Sequence, residues 1–108
     1  ALSVDSISKT VCDMGGAAFP AHIDRPSYSV LAMLGFLTPE MGFKTAELSK
    51  LCGSVDELYP VHQYLEDYRI VRNSDAHYLG DIAERENYLE LEELTATAVI
   101  EWLRNCQN

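Results

Sequence analysis

Short β-prone segments alternate with helical segments along this chain of 108 residues, and this alternation limits its fold more than any other feature. Such a pattern is typical of a parallel sheet covered by helices, because parallel strands need long crossover connections. The predicted helices are 3–14, 28–37, 55–67 and 95–106, and the predicted strands are 17–23, 43–48, 68–71 and 87–91. We therefore expect a single α/β domain over residues 1–108, with parallel strands.

Polar side chains follow two of the predicted strands. Asp75 and His77 lie in the segment Ser-Asp-Ala-His, directly after the β-prone run 68–71, and His22 comes at the end of the predicted strand 17–23. Side chains two residues apart on an extended chain point to the same side, so Asp75 and His77 can reach one ion or one substrate. In parallel α/β sheets, ligands bind beyond the carboxyl ends of the strands.

Charge and composition narrow the classes of partner. The net charge is −9 with no basic stripe, which disfavours duplex nucleic acid, whose phosphates attract cationic surfaces. The apolar stretches are shorter than the roughly 18 residues of a membrane helix. Residues 1–6 lack the basic and apolar regions of a signal peptide, and the three irregularly spaced cysteines, Cys12, Cys52 and Cys106, predict reduced thiols. These features predict a cytoplasmic protein.

Two segments resemble motifs of a known family. Residues 15–27, Gly-Gly-Ala-Ala-Phe-Pro-Ala-His-Ile-Asp-Arg-Pro-Ser, followed by Leu34-Gly35-Phe36, look like the third metal-binding motif of PHP-domain proteins. This is the polymerase and histidinol phosphatase family of metal-dependent phosphoesterases. Residues 74–77, followed by Tyr-Leu-Gly-Asp-Ile at 78–82, resemble the last motif of that family. Order and spacing fit, and the resemblance covers about residues 3–104.

The resemblance implies a fold, a reaction and a set of site residues. The family fold is a distorted (β/α) barrel of seven strands with two or three zinc, manganese or iron ions at the strand carboxyl ends. By motif match, His22, Asp75 and His77 would be metal ligands. Glu47 would be an additional site residue, and Arg25 would contact a substrate phosphate. The implied substrates are phosphate mono- or diesters of a small metabolite or nucleotide.

The chain also departs from the family pattern. The first family motif, His-x-His followed by Ser-Asp-Gly, has no counterpart here, and neither do the glutamate and histidine of the middle of the barrel. The resemblance therefore implies the C-terminal half of the barrel, from a truncated form of a longer protein. We expect such a half to be inactive alone, which leaves enzymatic activity of this chain open. Its exposed half-barrel surface is expected to drive homo-oligomerisation.

Three other interpretations stay open from the sequence. Residues 28–82 can be read as a winged-helix module that binds DNA or protein, which requires a helix over 45–51 where the barrel requires a strand. Arg72-Asn73-x-x-x-His77 matches a ribonuclease motif of all-helical HEPN domains, which requires a long helix. Without the family pattern, Asp75 is an ordinary capping residue of a turn and His22 an ordinary buried histidine.

Overall fold

The computed structural model describes residues 3–104. It contains two strands, β1 (Thr45–Ser49) and β2 (Arg69–Asn73). Its α-helices are α1 (Val4–Asp13), α2 (Val30–Leu34), α3 (Tyr59–His62) and α4 (Ala96–Arg104). Single turns of 3-10 helix at Pro39–Met41, Val55–Leu58, Gln63–Asp67 and Leu79–Asp81 connect these elements.

The two strands form one parallel sheet. Their register runs from Thr45 opposite Arg69 to Ser49 opposite Asn73, so both carboxyl ends lie at the same edge. The structure thus confirms a parallel pair near the predicted positions 43–48 and 68–71. The half-barrel is wrong, however, because residues 3–104 contain this two-stranded sheet and no further strand.

The predicted strand 17–23 is replaced by an irregular segment that still runs beside β1. The N–H of Glu47 donates to the carbonyl of Pro20 at 3.0 Å, and the N–H of Ile23 donates to the carbonyl of Glu47 at 2.8 Å. One more residue lies between Pro20 and Ile23 than a regular parallel pairing allows, so the segment bulges. His22 absorbs this bulge with a φ of 27°, and Pro20 brings no N–H to the sheet.

The predicted strand 87–91 is not formed either. Its residues lie in an extended, irregular stretch in which most side chains are exposed. The hydroxyl of Tyr88 donates to the carbonyl of Arg85, a local side-chain contact three residues back along the chain. The alternation of polar and apolar residues at 87–91 indicates a half-buried strand only if a neighbouring strand is available. Here β2 pairs with β1 alone among the described residues.

Two of the predicted helices are shorter or broken. Ser29 caps α2 by accepting from the N–H of Ala32, and Gly35 ends the helix in the left-handed conformation with a φ of 85°, so the predicted helix 28–37 is too long. The predicted helix 55–67 consists of two 3-10 turns on either side of α3. Pro60 lies in the first turn of α3, where its ring and its missing N–H prevent a continuous helix.

The predicted first and last helices are present. The side chain of Ser3 caps α1 by accepting from the N–H of Ser6. α4 ends the described part of the chain, and positions 105 and 106 of the predicted helix 95–106 lie outside it. Within residues 3–104, no helix has the length and apolar composition that a bilayer crossing requires.

A small apolar core lies against the sheet. Its buried members are Ile23, Leu37, Phe43, Ala46, Leu48 and Leu65. α4 contacts the sheet, because the Thr45 hydroxyl donates to the carbonyl of Leu103 at 2.7 Å and the Arg69 guanidinium lies 4.5 Å from the centre of the Trp102 ring. These contacts hold β1 and β2 in place and thereby fix the edge at which their carboxyl ends meet.

The observed strands decide between the alternatives. The winged-helix interpretation requires a helix over 45–51, but Thr45–Ser49 is a buried strand. The ribonuclease interpretation requires Arg72 and Asn73 to lie on a long helix, but both belong to β2. Neither alternative agrees with the secondary structure of the described residues.

Candidate functional site

The segment after β2 and the bulge beside β1 bring three of the sequence-predicted site residues together. Nε2 of His22 lies 3.9 Å from Oδ2 of Asp75, and Nη1 of Arg25 lies 3.4 Å from the same oxygen. The His22 side chain is 15% exposed and that of Asp75 is 39% exposed. The carboxylate thus lies between an imidazole and a guanidinium, at the edge where both strands end.

Both His22 and Asp75 have left-handed backbone conformations. Their φ angles are 27° and 52°, and Tyr28 is the one other non-glycine residue with a positive φ in the described chain. Such conformations cost about 1–3 kcal/mol each and persist where the surrounding structure imposes them, which is often at functional sites. Two residues on separate segments are therefore held in strained conformations at the point where their side chains face each other.

The two histidines of the site differ in exposure and in hydrogen bonding. Nδ1 of His22 is buried and has no hydrogen-bond partner among the described residues. His77 is exposed, and its Nδ1 lies 2.8 Å from the carbonyl oxygen of Asp75. In the tautomer that donates to this carbonyl, Nε2 of His77 carries the lone pair, which is the arrangement of many metal-binding histidines.

Glu47 lies in the middle of β1, and its side chain reaches the end of β2. Its Oε1 accepts from the backbone N–H of His22 at 2.9 Å, and its Oε2 accepts from Nδ2 of Asn73 at 2.7 Å. Each oxygen of the carboxylate therefore already has a donor. The sequence did not reveal the part played by Asn73, although its position directly after the β-prone run was a usable signal.

Asp24 and Arg72 fix the loops around the site, and the sequence did not predict these contacts for either residue. Oδ1 and Oδ2 of Asp24 accept from the backbone N–H and the hydroxyl of Ser49, both at 2.6 Å. The Arg72 guanidinium donates to the carbonyls of Ser49, Cys52 and Gly53. The turn after β1 is thus tied both to the His22 loop and to β2.

A pocket of about 250 Å³ lies beside Asp75. Lys50 and Asp81 form an ion pair on its wall, with Nζ and Oδ1 3.7 Å apart. This pocket is smaller than the sites that hold drug-sized ligands. Its lining consists of charged, polar and one apolar residue: Arg25, Ser49, Lys50, Leu51, Ser74, Asp75, His77 and Asp81.

The side chains of His22 and Asp75 supply fewer ligands than a complete metal site needs. Residues 3–104 contain no group of three or more histidine, cysteine, aspartate or glutamate side chains placed to hold a metal ion. His22 and Asp75 face each other as a pair of donors, whereas structural zinc sites take four protein ligands and catalytic sites take three and a water. A metal ion would need further ligands to be held tightly here.

Comparison with protein-family models, with curated proteins and with solved structures returned no match to this chain. The PHP family enters only as a resemblance of the two motifs quoted above. Any assignment of function depends on those motifs and on the geometry at the carboxyl ends of β1 and β2.

Proposed function

We propose that this chain is the C-terminal part of a metal-dependent phosphoesterase of the PHP type, and that it supplies part of the metal-binding centre. The observation that carries the proposal is the contact between His22 and Asp75. These residues belong to the two motifs that resemble the family, lie far apart in sequence, and face each other across 3.9 Å with strained backbones.

In this proposal His22, Asp75 and His77 are metal ligands. Mixed imidazole and carboxylate ligands suit zinc, manganese or iron. A bound ion would lower the pKa of a coordinated water to roughly 7 and counter the charge that develops on the phosphoryl oxygens. Since the described residues offer an incomplete ligand set, the remaining ligands would come from motifs that these 108 residues do not contain, and we expect no hydrolysis by this chain alone.

Arg25 is the proposed contact for the substrate phosphate. It borders the small pocket, and its guanidinium is oriented by Asp75 at 3.4 Å. A planar guanidinium can donate two parallel hydrogen bonds to phosphate oxygens. The proposed substrates are small phosphorylated metabolites or nucleotides, and the proposed compartment is the cytoplasm.

We also propose that the chain self-associates, through a surface other than the half-barrel face. Among the described residues, β2 has a partner strand on one side only. An unpaired strand edge is a template for pairing with another chain. Exposed apolar side chains follow β2 in sequence, including Leu79 and Ile82, which are 87% and 60% exposed.

The metal proposal can be tested by equilibrium dialysis of the purified chain against zinc, manganese and iron salts, followed by plasma mass spectrometry. We expect metal retention that falls in the double variant Asp75→Ala/His77→Ala. The variant Glu92→Gln, which removes one exposed acid outside the site, is the matched control and should retain as much metal as the parent chain. Equal retention by all three proteins would contradict the proposal, because it would mean that the metal binds elsewhere.

A further inference from the structure

The side chain of Glu47 connects the segment that carries His22 with the end of β2, and it does so through two hydrogen bonds. One oxygen accepts the backbone N–H of His22, and the other accepts the side-chain amide of Asn73, the last residue of β2. Asp75 follows Asn73 two residues later. A single carboxylate thus contacts both the bulge that carries His22 and the strand end that leads to Asp75.

The bulge beside β1 explains why this carboxylate is needed. The backbone of Glu47 bonds to Pro20 and Ile23, which leaves the N–H of His22 without a place in the ladder. A backbone N–H that is removed from water needs an acceptor. The Glu47 side chain supplies that acceptor, and it therefore stabilises the left-handed φ of 27° at His22.

From these contacts we infer that Glu47 is a positioning residue and not a metal ligand. Its carboxylate sets the backbone of His22 relative to the end of β2, and so it sets the 3.9 Å separation between the His22 imidazole and the Asp75 carboxylate. The inference rests on the proposed function only in taking that pair as the functional centre. It assigns Glu47 a role different from the one that the family resemblance implied.

The role predicts which substitutions of Glu47 are tolerated. Glu47→Gln keeps a carbonyl oxygen for the His22 N–H, and its amide can donate to Asn73 once the Asn73 amide turns to present its oxygen. Glu47→Ala leaves the His22 N–H without an acceptor. Asn73→Ala removes the side-chain amide that donates to Glu47 and leaves the donation from the His22 N–H in place. Asn87→Ala, which removes the same side chain outside the site, is the matched control.

The test is solution NMR of the metal-free 15N-labelled chain. The coupling between the amide and α protons of His22 reports its φ, and nuclear Overhauser contacts report its distance to Asp75. We expect Glu47→Gln and Asn87→Ala to keep the His22 coupling and the Overhauser contact between His22 and Asp75. We expect Glu47→Ala to change the coupling and to lose the contact. Asn73→Ala, which is expected to fold even if Glu47→Ala does not, should keep the His22 coupling and lose the contact to Asp75. Retention of that contact in Asn73→Ala would overturn the inference.

A second measurement separates a positioning residue from a ligand. Substoichiometric Mn²⁺ broadens amide signals near the ion. If Glu47 only positions His22, Mn²⁺ should broaden the His22 and Asp75 amides equally in Glu47→Gln and in the parent chain. Preserved His22 geometry with lost broadening in Glu47→Gln would make Glu47 a ligand and overturn the inference. Absence of broadening in the parent chain would contradict the proposed function, and the metal-free spectra would still decide the role of Glu47.

Discussion

The carboxylate of Asp24 accepts two hydrogen bonds from Ser49, one from its backbone N–H and one from its hydroxyl, both at 2.6 Å. Ser49 is buried at the carboxyl end of β1, and Asp24 lies in the loop that carries His22 and Arg25. This pair therefore fixes the loop with the candidate ligand to the end of the strand.

Loss of the Asp24 carboxylate should destabilise the fold. Hydrogen bonds to a charged group contribute about 1.5–3 kcal/mol each, so we expect the loss of both in Asp24→Ala to lower the free energy of unfolding by about 3–6 kcal/mol. Asp24→Asn keeps one acceptor and should cost less, and Asp56→Asn, an exposed acid, serves as the control. Urea unfolding followed by circular dichroism measures all three, and equal stabilities would contradict the assigned role.

Arg72 is predicted to be replaceable by neither lysine nor methionine. Its guanidinium donates to the carbonyl of Ser49 at the end of β1 and to those of Cys52 and Gly53 in the turn that follows, a geometry that the single ammonium of lysine does not reproduce. We expect Arg72→Lys and Arg72→Met each to lower the free energy of unfolding by about 1–3 kcal/mol. Lys44→Met is a control for loss of a cation beside β1. An unchanged urea midpoint in Arg72→Lys would mean that charge, and not geometry, matters.

The Cys52 thiol is predicted to react slowly with alkylating agents. Burial raises the pKa of this thiol, and the nearby carboxylates of Asp24 and Glu57 raise the pKa further. Since the thiolate is the nucleophile, a raised pKa lowers reactivity at a given pH, and reactivity should rise only as the pH approaches the raised value. Iodoacetamide labelling across pH, with Cys52 quantified by peptide mass spectrometry, measures this.

The variant Glu57→Gln should increase that labelling rate at neutral pH, because removing the carboxylate lowers the pKa of the Cys52 thiol. Glu92→Gln is the control. Labelling of Cys52 in the folded chain as fast as in urea, with no dependence on Glu57, would contradict the prediction.

Self-association is predicted to use the outer edge of β2. The N–H of Arg69 donates towards β1, to the carbonyl of Lys44, so by alternation the N–H of Ile70 points away from the sheet. Ile70→Pro removes that donor, whereas Ile70→Val keeps it. In sedimentation velocity, the parent chain and Ile70→Val should sediment faster with increasing concentration and Ile70→Pro should not. A parent chain that stays monomeric at high concentration would contradict self-association.

The sequence predicted the elements whose patterns are local. α1 and α4 have capping side chains and amphipathic spacing, and β1 and β2 lie near the predicted strands 43–48 and 68–71 and pair in parallel. His22 and Asp75 belong to the two segments that resemble PHP motifs, and their side chains lie 3.9 Å apart. These features depend on propensity and on residue identity, both of which can be read from the chain itself.

The elements that were mispredicted depend on tertiary contacts. Residues 17–23 have the composition of a strand, yet the Glu47 side chain supplies an acceptor that stabilises a bulge at His22. Residues 87–91 alternate as a strand does, but no described strand edge pairs with them. The four predicted strands indicate a parallel sheet, and the family resemblance implies that this sheet is half of a barrel. Two of those strands are not formed, which leaves a single pair. No local pattern reveals which neighbour a segment will have.

The central claim is that the His22–Asp75 pair lies at a metal-binding centre, and localisation of Mn²⁺ on the 15N-labelled chain by amide line broadening tests it most directly. We predict that the first signals to broaden are those of residues 22–23 and 74–77, and that Asp75→Asn abolishes this broadening. Broadening confined to the acidic stretch 84–93, or broadening at His22 that is unchanged in Asp75→Asn, would contradict the claim.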